Sequence, residues 1–182
     1  MTRRRATTLK KGQRAPEFML PDYRGVPFVL HECLQDGPAL LVFFKADCAT
    51  SRYLLGLLQR MYRKYTDRPG LSDETFHCVG VSLDDVEATT KLAEELDLEF
   101  PLAVESEARD ASRAYGVARV PAAILVETDG LVAIRSEGFV KADFLEFGRR
   151  WAETNEVMPY RIFTPGEQVP ETLSATPIKL EP

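Results

Sequence analysis

The sequence predicts an α/β domain in which a mixed central sheet is covered by helices, and three observations predict it. The first is Ala39-Leu-Leu-Val-Phe-Phe44, six apolar residues bounded by Asp36-Gly37-Pro38 and by Lys45. A run of that length without polar alternation fits a strand buried on both faces, at the centre of a sheet. The second is Phe76-His-Cys-Val-Gly-Val-Ser82, another buried strand, separated from the first by a segment of helical period. That order gives β-α-β-α. The third is the pair Ala122–Glu127 and Leu131–Ile134 joined by Thr128-Asp-Gly130, a hairpin signal that changes the pattern.

The remaining elements follow in order. Phe18-Met-Leu20 and Val26–Leu30 flank Pro21-Asp-Tyr-Arg-Gly25 and predict an N-terminal β-hairpin. His31-Glu-Cys-Leu34 reads as a turn of helix. Leu54, Leu57, Leu58, Met61 and Tyr65 recur at helical spacing, so a helix spans about 49 to 65, stopped by Asp67-Arg-Pro-Gly70. Asp84 with Glu87 forms a capping box ahead of a helix whose stripe is Ala88, Leu92 and Leu96. Pro101–Val104 reads as an edge strand, and a further helix runs from Ser106 to Tyr115 with Gly116 as its stop. The last helix, Lys141 to about Trp151, packs Phe144, Phe147, Gly148 and Trp151. From Asn155 onward five prolines and no periodicity predict an extended tail that wraps the domain or stays mobile. The expected organisation is a basic flexible arm over 1–11, one domain over 12–152 and an extended Pro-rich tail over 153–182.

Hydrophobic residues are 45% and charged residues 28% of the 182, the balance of a folded, soluble protein. No apolar run reaches the roughly 18 residues needed to cross a bilayer, and no apolar stretch follows the basic start, so a cytoplasmic protein without membrane partners is expected. Six basic groups and no acid lie in the first fourteen residues, which leaves −11 of the net −5 on the remainder. Such an arm suits phosphate contacts, but no aromatic residue interleaves it for base stacking. A solvated tail is expected, without a nucleic-acid partner. Cys33, Cys48 and Cys78 are odd in number and irregularly spaced, which argues against a disulfide framework. The two histidines lack zinc-ligand spacing, and no Gly-rich phosphate loop is present, so no metal, nucleotide or flavin cofactor is expected.

Four strings stand in order along residues 12 to 152: Gly12-Gln-Arg-Ala-Pro-Glu-Phe-Met-Leu-Pro-Asp22, Leu41-Val-Phe-Phe-Lys-Ala-Asp-Cys48, Val79-Gly-Val-Ser-Leu-Asp-Asp85 and Tyr115-Gly-Val-Ala-Arg-Val-Pro-Ala122. Together they resemble the redoxin branch of the thioredoxin superfamily, which holds the alkyl hydroperoxide reductase/thiol-specific antioxidant and TlpA-like proteins. The resemblance implies a thioredoxin fold. It puts Cys48 at the first cysteine of the family's Cys-x-x-Cys, between the central strand and the long helix. A thiolate there meets the positive end of the helix dipole and unpaired N–H groups. Lys45 and Arg52 should favour it further and Asp47 oppose it. Val120-Pro121 looks like the family's cis-proline turn, which faces the cysteine and offers backbone groups to a substrate chain, with Arg119 close by.

Departures from the family pattern narrow the activity. Ser51 stands where the resolving cysteine belongs, so Cys48 can form a mixed disulfide but has no neighbour to release it. Ser51 then serves either as first-turn helix chemistry or as a hydroxyl donor to the Cys48 thiolate. Val42 replaces a buried acid, and Leu41 and Lys45 replace the proline and threonine of the peroxiredoxin Pro-x-x-x-Thr-x-x-Cys. The leading expectation is a monothiol oxidoreductase acting by thiol–disulfide exchange at Cys48, the resolving thiol coming from a low-molecular-weight thiol or a partner protein. Two alternatives stand beside it: a one-cysteine peroxidase passing through a sulfenic acid, and a redox-inactive thioredoxin-fold binding module. Cys48 is expected to be partly exposed, Cys78 to lie in the core, Cys33 to be structural, and His31 and His77 to sit at the surface or at strand ends.

Overall fold

Six apolar residues with no polar face need cover on both sides, and Ala39–Phe44 (β3) has it: all six are buried. Side chains alternate across a strand, so Leu40, Val42 and Phe44 enter one core and Ala39, Leu41 and Phe43 the other. The computed structural model of the chain describes residues 8–67, 76–105 and 107–178. Arg3, Arg4 and Arg5 of the basic arm, Arg68-Pro-Gly70 of the expected helix stop, and Ser106 lie outside them.

β3 is the middle strand of a five-stranded sheet. On one side it pairs in parallel with His77–Ser82 (β4), which pairs in parallel with the edge strand Leu102–Val104 (β5). On the other it pairs antiparallel with Ala122–Val126 (β7), and β7 with Val132–Glu137 (β8). The hairpin Met19–Pro21 (β1) and Pro27–Val29 (β2) precedes the short helix Leu30–Asp36 (α1). The long helix Ala49–Thr66 (α2) and Lys141–Thr154 (α5) cover the face of Leu40, Val42 and Phe44, together with Val86–Leu96 (α3). The hairpin, α1 and Asp110–Ala114 (α4) cover the other face. This is the mixed sheet with flanking helices that the patterns predict.

An aromatic stack locks α5 to the sheet and to α2. Trp151 lies flat between Tyr65, at 5.1 Å and 9°, and Phe76, at 4.6 Å and 16°. The Tyr65 hydroxyl donates to the Gly148 carbonyl at 2.8 Å, which satisfies the only polar atom that the ring buries there.

Three local expectations are corrected. α4 begins at Asp110 because Arg109 takes a left-handed conformation, φ 52°, that a helix cannot contain. The N-cap of α3 is Asp85, whose carboxylate accepts from Ala88 N–H, and not Asp84, which turns the other way. Leu9, inside the basic arm, is buried, and its N–H donates to the Tyr115 carbonyl at 3.4 Å.

The segment after α5 carries regular structure that no periodicity announces. Ile162 enters the core beside α2 and α5, Phe163 packs on Phe144, and Arg60 holds Glu167 with two hydrogen bonds. Thr172–Leu173 (β10) then pairs antiparallel with Phe139–Val140 (β9), and Thr176–Pro177 (β11) with Arg119–Val120 (β6).

Candidate active site

Three residues, Lys45, Ala46 and Asp47, connect the end of β3 to α2, so Cys48 becomes the N-cap of an 18-residue helix. An N-cap needs an acceptor for the first free N–H groups. Here the sulfur supplies it: Ser51 N–H donates to Cys48 Sγ at 3.4 Å. The Cys48 backbone is extended, φ −85° and ψ 114°, which aims the side chain across the helix end.

What it aims at comes from two distant segments. The Val120 carbonyl lies 3.5 Å from Sγ, close enough to accept from the thiol. The Val120–Pro121 peptide bond is cis. The Thr176 hydroxyl lies 3.3 Å from Sγ on the side of the C-terminal segment. The cover is close: Cys48 is 5% exposed, against the expectation of a partly exposed thiol. The sequence places the cysteine at a strand end, and strand ends are commonly open; a segment 128 residues downstream closes this one.

Burial pushes the Cys48 thiol up, but hydrogen-bond donors outweigh it and hold its pKa below the ordinary value of 9.0. The donors are the Ser51 hydroxyl, the Thr176 hydroxyl and the backbone N–H groups of Ser51 and Thr50, in that order. The buried Ser51 Oγ makes no well-aligned hydrogen bond, so its influence reflects nearness to the sulfur, and the aligned backbone N–H is the firmer contact. The expected cations do not govern the thiol. Lys45 lies between Asp84 at 3.3 Å and Asp47 at 3.6 Å, and Arg52 reaches the Ala46 carbonyl and Glu95. The other two thiols move the opposite way. Burial, with Glu32, Asp36 and Glu17 nearby, pushes Cys33 up to about 11, and full burial raises Cys78 further still. All three cysteines are free.

The structure therefore brings Cys48, Ser51 and Val120 together, with Pro121 next to Val120 across the cis bond. Lys45 lines the same cavity, about 630 Å³, that Cys48 borders, with Asp47, Arg109, Arg113 and Ile178. Arg119 turns instead to the C-terminal segment, donating to the Ala175 carbonyl at 3.1 Å. Two participants escape the sequence reading. Asp84 accepts from Ala46 N–H at 2.6 Å and so pins the loop that carries Cys48. Thr176 lies in a strand of two residues, too short for any periodic signal. Among the described residues no cluster of His, Cys, Asp and Glu could hold a metal ion, and no helix is long and apolar enough to cross a membrane. A pKa-lowered sulfur at a helix N-terminus can attack a sulfur or an oxygen electrophile.

A comparison with curated proteins finds no significant match. Among solved structures, the chain is similar to a protein of Chlorobium tepidum described as a thiol:disulfide interchange protein, DsbE, with 26% identity and a TM-score of 0.68 over 81% of this chain and 99% of that one. It shares its fold with the peroxidoxin BcpB of Mycobacterium tuberculosis, at 20% identity and TM-score 0.64 over 82% and 99% of the two chains. It shares it also with an uncharacterized conserved protein of Geobacillus kaustophilus, at 19% identity and TM-score 0.70, where 97% of this chain and 96% of that one are covered. The sequence pattern of the AhpC/TSA family matches residues 11–135, from ahead of the N-terminal hairpin into β8 and across Cys48 and the Val120–Pro121 turn. The chain belongs to the AhpC/TSA family, a redoxin on the thioredoxin fold.

Proposed function

We propose that this redoxin is a monothiol oxidoreductase in which Cys48 is the nucleophile of thiol–disulfide exchange. The observation that carries the reading is the contrast among three cysteines in one fold: only Cys48 is held below its ordinary pKa, and hydrogen-bond donors at a helix N-terminus hold it there. The Cys48 thiolate attacks one sulfur of a disulfide. A new S–S bond joins Cys48 to that half, and the other half leaves as a thiolate that takes up a proton. Ser51 cannot expel the bound half, so a second, external thiol attacks the mixed disulfide, leaves with the substrate half as a new disulfide and returns Cys48 as thiolate. Three unpaired cysteines suit a reducing compartment, the cytoplasm, where such a thiol is plentiful. Within the proposed organisation, residues 12–152 carry Cys48, Ser51 and the Val120–Pro121 turn, and the tail over 153–182 adds Thr176.

One observation favours a second reading, a one-cysteine peroxidase. Thr176 supplies a hydroxyl 3.3 Å from the sulfur, which can orient the oxygen of a hydroperoxide while Cys48 attacks the other. Mass spectrometry separates the readings. After oxidised glutathione, exchange predicts a glutathione adduct on Cys48 that dithiothreitol removes. After stoichiometric hydrogen peroxide, the peroxidase predicts a sulfenic acid on Cys48 that dimedone traps. A chain that forms neither is a binding module.

A further inference from the structure

The turn facing Cys48 offers a backbone edge to an extended strand, and a strand of this same chain is already in it. β11 lies antiparallel to β6, with Thr176 opposite Val120 and Pro177 opposite Arg119. Ile178 N–H donates to the Ala118 carbonyl at 3.0 Å, Arg119 to the Ala175 carbonyl at 3.1 Å, and the Thr50 hydroxyl to the Ser174 carbonyl at 2.9 Å. Upstream, β10 is tied to β9, and Lys141 N–H donates to the Glu171 carbonyl at 2.9 Å. The first turn of α2, β6 and the β8–β9 turn thus each hold a part of one continuous segment.

The seat is shaped for its occupant. Gly138 sits at φ 75°, and a Cβ there would lie 2.2 Å from the Leu173 carbonyl oxygen and 2.9 Å from the Ala175 nitrogen. Both atoms belong to backbone, which cannot swing aside as a side chain does. Gly138 falls beyond the residues that the AhpC/TSA pattern matches, as does the whole segment it accommodates. Docking puts the Thr176 hydroxyl over the sulfur and leaves Cys48 5% exposed.

We propose that the C-terminal segment Thr172–Ile178 sets the substrate class of the Cys48 site: docked as a tethered strand, it excludes polypeptide disulfides and leaves the site to low-molecular-weight disulfides. The inference rests on the exchange reading of Cys48. A polypeptide that presents its disulfide by strand addition needs the Arg119–Val120 edge, and one edge cannot pair with two strands. A small disulfide needs no edge. It reaches the sulfur through the cavity of about 630 Å³ that Cys48 borders beside Lys45, Arg109 and Arg113. Polypeptide reactivity then scales with the fraction of molecules whose segment has left its seat.

The test follows the rate at which Cys48 forms a mixed disulfide in the full-length chain, by mass spectrometry. The two probes are oxidised glutathione and a synthetic extended peptide dimerised through one disulfide. Gly138→Ala unseats the segment from the domain side. Ala175→Asp does so from the segment side, placing a charge at a buried position without altering any residue of the domain. Expected is a rise of about tenfold or more in the ratio of the peptide rate to the glutathione rate in both variants; unseating also removes the Thr176 hydroxyl from the sulfur, which slows both probes alike and cancels in the ratio. An unchanged ratio in both folded variants, with glutathione reacting throughout, overturns the selector role and leaves exchange standing. An equal rise for both probes is such a result, and would make the segment a general cover. A Cys48 that reacts with neither probe in any variant overturns the exchange reading, and this inference with it.

Discussion

The Thr176 hydroxyl stands 3.3 Å from the Cys48 sulfur although 128 residues separate the two along the chain. A hydroxyl there donates to the thiolate and is one of the groups that hold its pKa down. Thr176→Val keeps the shape and removes the donor. The Cys48 pKa should rise, and alkylation by iodoacetamide at neutral pH should slow severalfold while the rate at high pH stays close to wild type. The pH profile of alkylation checks it, because a purely structural effect would change the plateau and leave the midpoint in place.

The same lowered pKa links stability to pH with a definite sign. Between the native pKa of Cys48 and the ordinary thiol value of 9.0, the folded state binds fewer protons than the unfolded state. Stability therefore rises with pH through that window, is fully gained above it, and is lost as pH falls through the native value. Cys78 acts oppositely: its raised pKa makes the fold lose stability once pH climbs past the ordinary thiol value of 9.0. Thermal melts across the neutral-to-alkaline range should show Cys48→Ser with a flatter rise than wild type, and Cys78→Ala with a gentler alkaline fall.

Asp84 ties the loop before Cys48 to the end of β4 through Ala46 N–H at 2.6 Å and Lys45 at 3.3 Å. Asp84→Ala frees one backbone donor and releases the lysine, at a cost of about 1–3 kcal/mol. Cys48 alkylation should slow as well, since the loop sets the direction of the sulfur. Asp85→Ala, which removes only the cap of α3, should cost about 1 kcal/mol and leave alkylation unchanged. Urea melts and alkylation rates of the two variants together give the comparison.

Trp151 joins α5 to α2 and β4 by lying flat on Tyr65 and Phe76. Trp151→Ala opens a cavity at a fully buried position and should destabilise the chain by about 3–5 kcal/mol. The loss is expected in the urea midpoint, with Cys48 alkylation in the folded protein unaffected, because the stack lies on the α2 end away from the sulfur.

Where local pattern and tertiary environment agree, the chain is legible. β3 and β4 are continuous apolar runs, α2 has a full stripe, and Thr128-Asp-Gly130 turns the β7–β8 hairpin, so the sheet and its flanking helices follow from short stretches read one at a time. Cys48 is singled out by the resemblance to the redoxin pattern, and its place at the junction of two strong elements supports that assignment. What escapes depends on contacts between segments far apart. Asp84 and Asp85 both precede a helix, and only the fold decides that Asp85 caps it while Asp84 reaches back to Ala46. Lys45 and Arg52 look like partners for a thiolate until the carboxylates that hold them are in place. The C-terminal strands have two residues each and no alternation to detect. Their pairing with β6 and β9 reverses the expectation of an exposed sulfur.

Exchange at Cys48 is tested most directly by the location of the mixed disulfide after brief treatment of the native protein with oxidised glutathione, read by peptide mapping under acid quench. A nucleophilic Cys48 gives an adduct on that residue that forms well ahead of any on Cys33 or Cys78, is absent from Cys48→Ser, and is released by added thiol. An adduct that forms first on Cys33, or a Cys48 that stays unmodified while Cys33 reacts, would contradict it.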